Sequence, residues 1–420
     1  MEYPPVKYGA VHGTSIFSPA HERTRKASTK VLRFLKDVET FYAADIQNIY
    51  SLSTPLPKYG PDLALVDLFC GIGGVSLGAM TAARKWGQGA LESPIAYALD
   101  HDQAAAQTFR HNLTPNVDRG SIEYTDAGLL ALANNIWRNV SKSFHMHASP
   151  PCEKVSQGGL NRGVNHNLVR ALNPTFCMLK LVRILQNAPE DRPQLGSFSI
   201  ELNAGNGGIV GRTFMRLAHK LRVDCIVVNS ADLGSPQRGR LRMFLGGGPW
   251  LTHIRTPLRH GLSAWTNHAK PFKTLPKDVF LEIARSRRGI QVDKSNWKSY
   301  AIAGSATRTP SRQEHAGSRM SRVGNYNRPR NITDGMRPLN VPCHTITRIG
   351  CRILKYRAGK WHFLRYTNTR ECLALQGFPM GYELSGPASR KKILVANAVP
   401  VQLFQSVWAA VLQGSTKSFH

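Results

Sequence analysis

Between Lys30 and Tyr50 the apolar residues Val31, Leu35, Val38, Tyr42, Ile46 and Ile49 recur at steps of three and four. That spacing predicts one amphipathic helix. A break rich in Pro and Gly, Ser51–Asp62, follows it. The pattern then changes character. Leu63–Phe69 is a short apolar run, followed by a Gly-rich turn and a helical stretch over Val75–Lys85. Further strands are expected at Ile95–Leu99, Ser143–Ala148, Ser197–Leu202 and Asp224–Asn229, with helices at Asp102–Asn112, Thr175–Gln186 and Arg212–Arg222. Strands alternating with helices predict an α/β fold with a doubly wound, mostly parallel sheet over roughly residues 62–250.

After Pro249 the alternation stops. Beyond Arg337 short strands are expected at His344–Arg348 and Arg352–Tyr356, then helices at Thr369–Gln376 and Val401–Leu412. The chain therefore divides into an N-terminal arm with its amphipathic helix (1–61), a main α/β domain (62–249), a smaller irregular domain (250–338) and a return segment ending in a helix (339–420).

Charge adds the first functional clue. The 420 residues carry 55 Lys+Arg against 26 Asp+Glu, a formal net charge of +29. Such a surplus implies a polyanionic partner, with nucleic acid ahead of a membrane surface. Residues 281–330 concentrate it: eleven Lys/Arg against three acids, with Trp297, Tyr300 and Tyr326 among them. This is the composition of a phosphate-facing surface with stacking side chains. A hydrophobic content of 42% excludes general disorder. No run approaches the roughly 18 uninterrupted apolar residues of a membrane span. Met1-Glu2-Tyr3-Pro4-Pro5 lacks the pattern of a secretory leader. Seven cysteines without a CxxC pair suggest neither a disulfide framework nor a structural zinc site, so a reduced, cytoplasmic protein is expected.

Candidate chemistry sits at strand ends. Asp67-Leu68-Phe69-Cys70-Gly71-Ile72-Gly73-Gly74 is a strand running into a Gly-rich turn that opens a helix. Its glycines let the backbone approach a ligand, and the absence of Gly-Lys-Ser/Thr disfavours a nucleoside triphosphate. Asp100 ends the next strand, where an acid commonly holds ribose hydroxyls, and Asp126 follows near the third strand position. Together they favour an adenosine-containing ligand. Ser149-Pro150-Pro151-Cys152 holds a thiol rigidly at the edge of the sheet. His145 and His147 lie in the preceding strand, which makes a protease-type Cys–His pair a poor fit. Glu201 ends another strand, where burial would suit it to hydrogen-bond a base ring. In Pro236-Gln237-Arg238-Gly239-Arg240-Leu241-Arg242, strand spacing puts Arg240 and Arg242 on one face, fit for a phosphate or a developing anion.

Taken in order, Asp67–Gly74, Pro150-Pro151-Cys152, Glu201, Gln237–Arg242 and Asn397-Ala398-Val399-Pro400 resemble the motifs of the C5-cytosine DNA methyltransferase family over about residues 62–412. Pro342–Thr347 and Glu371–Pro379 match family segments as well. The resemblance implies a fold of the S-adenosylmethionine (SAM)-dependent type, with SAM as methyl donor and no metal. It implies that Phe69 lies near the adenine and that Gly71, Gly73 and Gly74 shape the methionine pocket. Asp100 would hold the ribose, His101 would lie against the adenine and Asp126 would accept its amine. Pro150, Asn397 and Ala398 would complete the SAM site. Cys152 would be the nucleophile, Glu201 the partner of cytosine N3 and N4, and Gln237, Arg240 and Arg242 would stand beside the reacting base. Residues 250–338 would form the target recognition domain, and the partner would be duplex DNA bound by a monomer, with or without a cognate restriction endonuclease. RNA, as in the tRNA-directed relatives, and a catalytically weak DNA-binding regulator are the alternatives.

Three departures from the family pattern stand out. Glu201-Leu202-Asn203 replaces Glu-Asn-Val. One extra residue separates Gln237 from the Arg-x-Arg pair, which leaves Arg238 and Arg240 as rival candidates for one role. Ala396-Asn397-Ala398-Val399 replaces Gly-Asn-Ser-Val and loses a hydroxyl.

Overall fold

The computed structural model describes residues 29–49, 63–85, 93–114, 116–151, 168–203, 209–221, 223–238, 241–248, 250–251, 254, 300–303, 337–338, 343–358 and 360–416. Cys152, Arg240 and the basic stretch 304–336 lie outside them, as does all but residues 300–303 of the stretch 281–303.

Two N-terminal helices, α1 (Thr29–Phe41) and α2 (Ala43–Ile49), come first. The α/β unit follows as β1 (Ala64–Leu68), α3 (Gly74–Lys85), β2 (Ile95–Asp100), α4 (Gln103–Asn112), β3 (Val117–Arg119), α5 (Asp126–Asn139), β4 (Phe144–Ala148), α6 (Asn173–Gln186), β5 (Leu195–Asn203), α7 (Ile209–Lys220), β6 (Asp224–Asn229), β7 (Gln237–Arg238) and β8 (Leu241–Gly247). The remainder contributes β9 (Tyr300–Ala303), β10 (Arg337–Pro338), β11 (Cys343–His344), β12 (Arg352–Arg357), β13 (Lys360–Tyr366), α8 (Thr369–Leu375), α9 (Ala388–Asn397) and α10 (Val401–Thr416).

Seven strands form one sheet in the order β3-β2-β1-β4-β5-β8-β6. The β3-to-β5 ladders are parallel, and β8 enters antiparallel between β5 and β6. This is the doubly wound, mostly parallel α/β architecture that the alternating pattern predicts.

Alternate residues along each strand reach opposite faces, and β1 shows the result. Ala64, Val66 and Leu68 join a core with α1, α2, α5, α6 and α7, whereas Leu65 joins another with α3, α4 and α10. The apolar stretch 388–414 is part of this packing: Leu403, Phe404, Val407, Trp408 and Val411 of α10 are buried. A smaller antiparallel sheet, β10-β9-β12-β13, covers a further core formed with α8 and α9.

Several expectations need correction. The single helix expected over Lys30–Tyr50 is two helices meeting at Tyr42, although Tyr42 and Ile46 still donate N–H bonds four residues back. The strand expected at His344–Arg348 is only Cys343–His344. Ile346 gives its N–H to the Gln237 side chain instead of a ladder, and the chain turns at Gly350, whose φ is +86°. Helices α5 and α9 and strands β9, β10 and β13 were not expected, and β3 gives bounds to the third strand position expected ahead of Asp126.

Candidate active site

The Gly-rich turn after β1 is held by side chains from two directions. Phe69 at φ +58°, Gly71 at +54° and Gly73 at +88° adopt left-handed backbone, tolerable for glycine and strained for phenylalanine. The buried Asp100 carboxylate accepts the Gly71 N–H through Oδ2 and the Asp102 N–H through Oδ1, both at 2.8 Å. It therefore clasps the turn after β1 to the end of β2. The Tyr382 hydroxyl donates to the Ile72 carbonyl from the far side. A Cβ at Gly71 would meet nothing within 4 Å, so this backbone faces open space. A Cβ at Gly74 would lie 2.1 Å from the Val399 carbonyl oxygen, which brings the segment after α9, with Asn397 exposed and Ala398 buried, against the turn. Open backbone at the start of a helix, an acid at the next strand end and a returning C-terminal segment fit an adenosine-bearing ligand.

Inside the turn, Asp67 accepts a 2.6 Å hydrogen bond from Ser76, and its Oδ1 is buried without a partner. Burial raises its pKa to about 7; the Ser76 bond opposes the shift and the neighbouring Asp100 adds to it. In the sequence this acid is marked only by its place at the start of the glycine motif. His101 is exposed, with Nδ1 3.5 Å from Asp100. Asp126 is the exposed first residue of α5 and pairs with Lys180 of α6, a contact the sequence did not announce.

At the carboxyl edge of the sheet, Pro150 is buried two residues past β4, and Ser149 ties that strand to β1 by an N–H bond to the Leu68 carbonyl at 3.2 Å. Glu201 of β5 and Arg242 of β8 are both buried and form an ion pair through Oε1 and Nε. Leu202 and Met243, the next residue on each strand, point to the opposite face. There, with Pro151, Asn203 and Phe214, they line a shallow cleft. The register on β8 thus assigns the last arginine of the motif to the acid, despite the extra residue upstream.

Gln237 does not stand beside this pair. Its side chain is fully buried, with Nε2 donating to the Leu375 carbonyl (3.0 Å) and Gln376 Oε1 (2.6 Å) and Oε1 accepting the Ile346 N–H (3.1 Å). Gln376 in turn donates to the Val395 carbonyl at 2.7 Å. Both the nitrogen and the oxygen of the Gln237 amide are used, and they join β7, the 343–346 segment and α8. The expectation that Gln237 touches the reacting base is corrected: its amide is taken up within the core that α8 forms with the second sheet.

The strand histidines also find partners inside. His145 lies 2.7 Å from Ser197 Oγ and 2.8 Å from Ser199 Oγ, and His147 2.7 Å from Ser199 Oγ. Burial holds both neutral, with the His145 pKa pushed down to about 3. They pack against Phe404, Trp408 and Phe244 rather than turning toward the Pro150-Pro151 edge.

Solved structures with similar folds include the Dnmt2 methyltransferase of S. pombe (14% identity, TM-score 0.48, covering 84% of this chain and 98% of that one). Another is a putative DNA modification methyltransferase encoded within an E. coli prophage (16%, 0.44, 84% and 99%). The methyltransferase EhMeth of Entamoeba histolytica is a third (10%, 0.45, 85% and 99%). The family description C-5 cytosine-specific DNA methylase matches residues 63–187 and 215–413, which is most of the sequence. On that match, the chain belongs to the C-5 cytosine-specific DNA methylase family.

Proposed function

We propose that the protein transfers a methyl group from SAM to C5 of a cytosine flipped out of duplex DNA, through a transient bond to Cys152. The observation that carries this reading is the buried Glu201–Arg242 pair beside the Pro150-Pro151 edge, on the sheet that also bears the clasped Gly71–Asp100 turn.

SAM supplies an electrophilic methyl sulfonium. Cytosine C5 is a poor nucleophile, so the ring must first be made electron-rich. The Cys152 thiolate adds to C6 while N3 takes up a proton held by Glu201; the C5–C6 π pair shifts to leave an enamine across C4 and C5, and N3 gives that proton back when the thiolate leaves. C5 then takes the methyl group. Loss of the C5 proton to a base re-forms the C5–C6 double bond and expels the thiolate. Arg242 fixes the Glu201 carboxylate and adds to the positive field that a thiolate needs. C6 is shielded in a duplex, so the base leaves the stack at a cost of a few kcal/mol. Phosphate contacts by the basic region offset that cost.

Labelled SAM offered with duplex DNA or tRNA tests the reading. Label in DNA, and a covalent complex with 5-fluorocytosine DNA that Cys152→Ala does not form, are the expected results. Label in tRNA alone would reassign the substrate, and no label in either would overturn the reading.

A further inference from the structure

Strand β4 carries His145 and His147 on one face, and the methyl-transfer steps use neither. In the parallel register His147 lies opposite Asp67 of β1 and Ser199 of β5, and His145 lies opposite Ser197. Residues paired in this way leave the sheet on the same face. All five side chains are fully buried. The Ser199 hydroxyl stands between two rings, 2.7 Å from His147 Nδ1 and 2.8 Å from His145 Nε2, and Ser197 Oγ lies 2.7 Å from His145 Nδ1. Two polar atoms of this row have no partner, Asp67 Oδ1 and His147 Nε2. They belong to residues that face each other across the β1–β4 ladder.

A neutral imidazole has one N–H and one lone pair, and a hydroxyl has a single proton to give. Ser199 therefore donates to one ring and accepts from the other, which ties the two tautomers together. Either both rings carry the proton on Nδ1, or both carry it on Nε2. In the first state His147 Nε2 is an acceptor, matched to a protonated Asp67. In the second it is a donor, matched to the Asp67 carboxylate. Each state satisfies the row, with Asp67 Oδ1 and His147 Nε2 joined directly or over one water.

We propose that His147 is a positioning residue and Asp67 a specificity-determining residue of the cofactor turn: the row reverses direction when Asp67 gains or loses its proton, and the charge so placed beneath Gly71 favours SAM over S-adenosylhomocysteine. The proposal rests on SAM being the ligand of that turn, as read above.

The two compounds differ by a methyl group and one charge. SAM carries a sulfonium, whereas the product left after methyl transfer has a neutral thioether. A carboxylate beneath the turn attracts the sulfonium and gains nothing from the thioether. Asp67 is close to the turn through its neighbours. Ser76 of α3 holds its Oδ2, and Asp100 clasps the Gly71 N–H. Burial brings the Asp67 pKa to about 7, with the Ser76 bond opposing and Asp100 adding, so the carboxyl changes form in the neutral range. Burial keeps both histidines neutral. Besides Asp100, the Cys70 thiol and the Tyr382 hydroxyl are the titratable groups near Asp67, and burial raises both. Phe244 of β8 and Phe404 and Trp408 of α10 pack on the histidines and bring no charge.

Two measurements on the full chain test the proposal. Nitrogen NMR of the wild-type histidine side chains, assigned with His145→Gln and His147→Gln, is expected to show both rings in the Nδ1–H form below about pH 6 and both in the Nε2–H form above about pH 8. Calorimetry with SAM and with S-adenosylhomocysteine is expected to show the preference for SAM rising about three- to tenfold over the same range. Asp67→Asn loses that rise; the ligands' own titrations are common to both enzymes and cancel. His147→Asn, with no donor at the Nε2 position, moves the midpoint up by about one pH unit, and His147→Gln, which supplies one, restores it. Rings that differ in tautomer, or a preference that follows one curve in wild type and Asp67→Asn, would overturn the proposal. A wild type that binds neither compound would sink the cofactor reading and the selectivity with it, while the paired tautomers would still be visible in the free protein.

Discussion

Glu201 and Arg242 meet across the β5–β8 ladder as a buried ion pair, one residue from the cleft that reaches Pro151. Two charges taken out of water are worth keeping together only while both are present. Arg242→Met leaves the carboxylate unpaired, and a loss of about 3–5 kcal/mol in unfolding free energy is expected. Denaturant unfolding of Arg242→Met, and of the double variant with Glu201→Gln, checks this, because the double variant removes the orphaned charge and recovers part of the loss.

Glu201→Gln by itself retains the shape of the site and removes the charge beside cytosine N3. A fall in kcat of about a hundredfold or more is expected, with SAM affinity retained. Single-turnover methylation together with calorimetry separates the two quantities. An enzyme that loses SAM binding instead would place Glu201 in the cofactor site.

Gly74→Ala pushes a methyl group into the Val399 carbonyl, a backbone atom that cannot swing aside. The segment from Asn397 to Val399 must move, so SAM is expected to bind at least about tenfold more weakly, near 1.4 kcal/mol. Calorimetric titration of the variant checks this, and unchanged affinity would detach the C-terminal segment from the cofactor site.

The Asp67 carboxyl links stability to pH. Its folded pKa, raised to about 7, exceeds that of the unfolded chain. Its stabilising share is therefore fully present below about pH 4 and is lost as pH rises toward and through 7. The span corresponds to about 4 kcal/mol at most. Asp67→Asn should remove that slope, so wild type and variant diverge between pH 4 and 8 in denaturant midpoint. Parallel curves would show that Asp67 stays ionised throughout.

If the surplus of 55 Lys+Arg over 26 Asp+Glu faces phosphate, DNA affinity must fall steeply with salt. A log–log slope corresponding to several released counterions is expected between about 50 and 200 mM salt. A flat plot would turn that charge away from nucleic acid.

The strand-end acids were legible because strand direction alone puts Asp100 and Glu201 at the carboxyl edge of the sheet, where ligands bind. Arg242 was legible in kind, but its partner needed the β5–β8 register. Gln237 misled for a similar reason: it sits in a catalytic-looking motif, but its partners Leu375 and Gln376 come from more than a hundred residues away. Tyr42 reads as one more apolar position in a helix, and nothing local announces that its hydroxyl reaches Val169. Helix α5 was missed although Leu129, Leu132, Ala133 and Ile136 form a buried stripe, because the exposed Leu130 blurs the contrast between its faces. Strand β3 has three residues, too few for any period to show.

The antiparallel strand β8 is bordered on both sides, by β5 and by β6, so its alignment is enforced twice over. Sliding Arg242 away from Glu201 would therefore require two ladders to break at once.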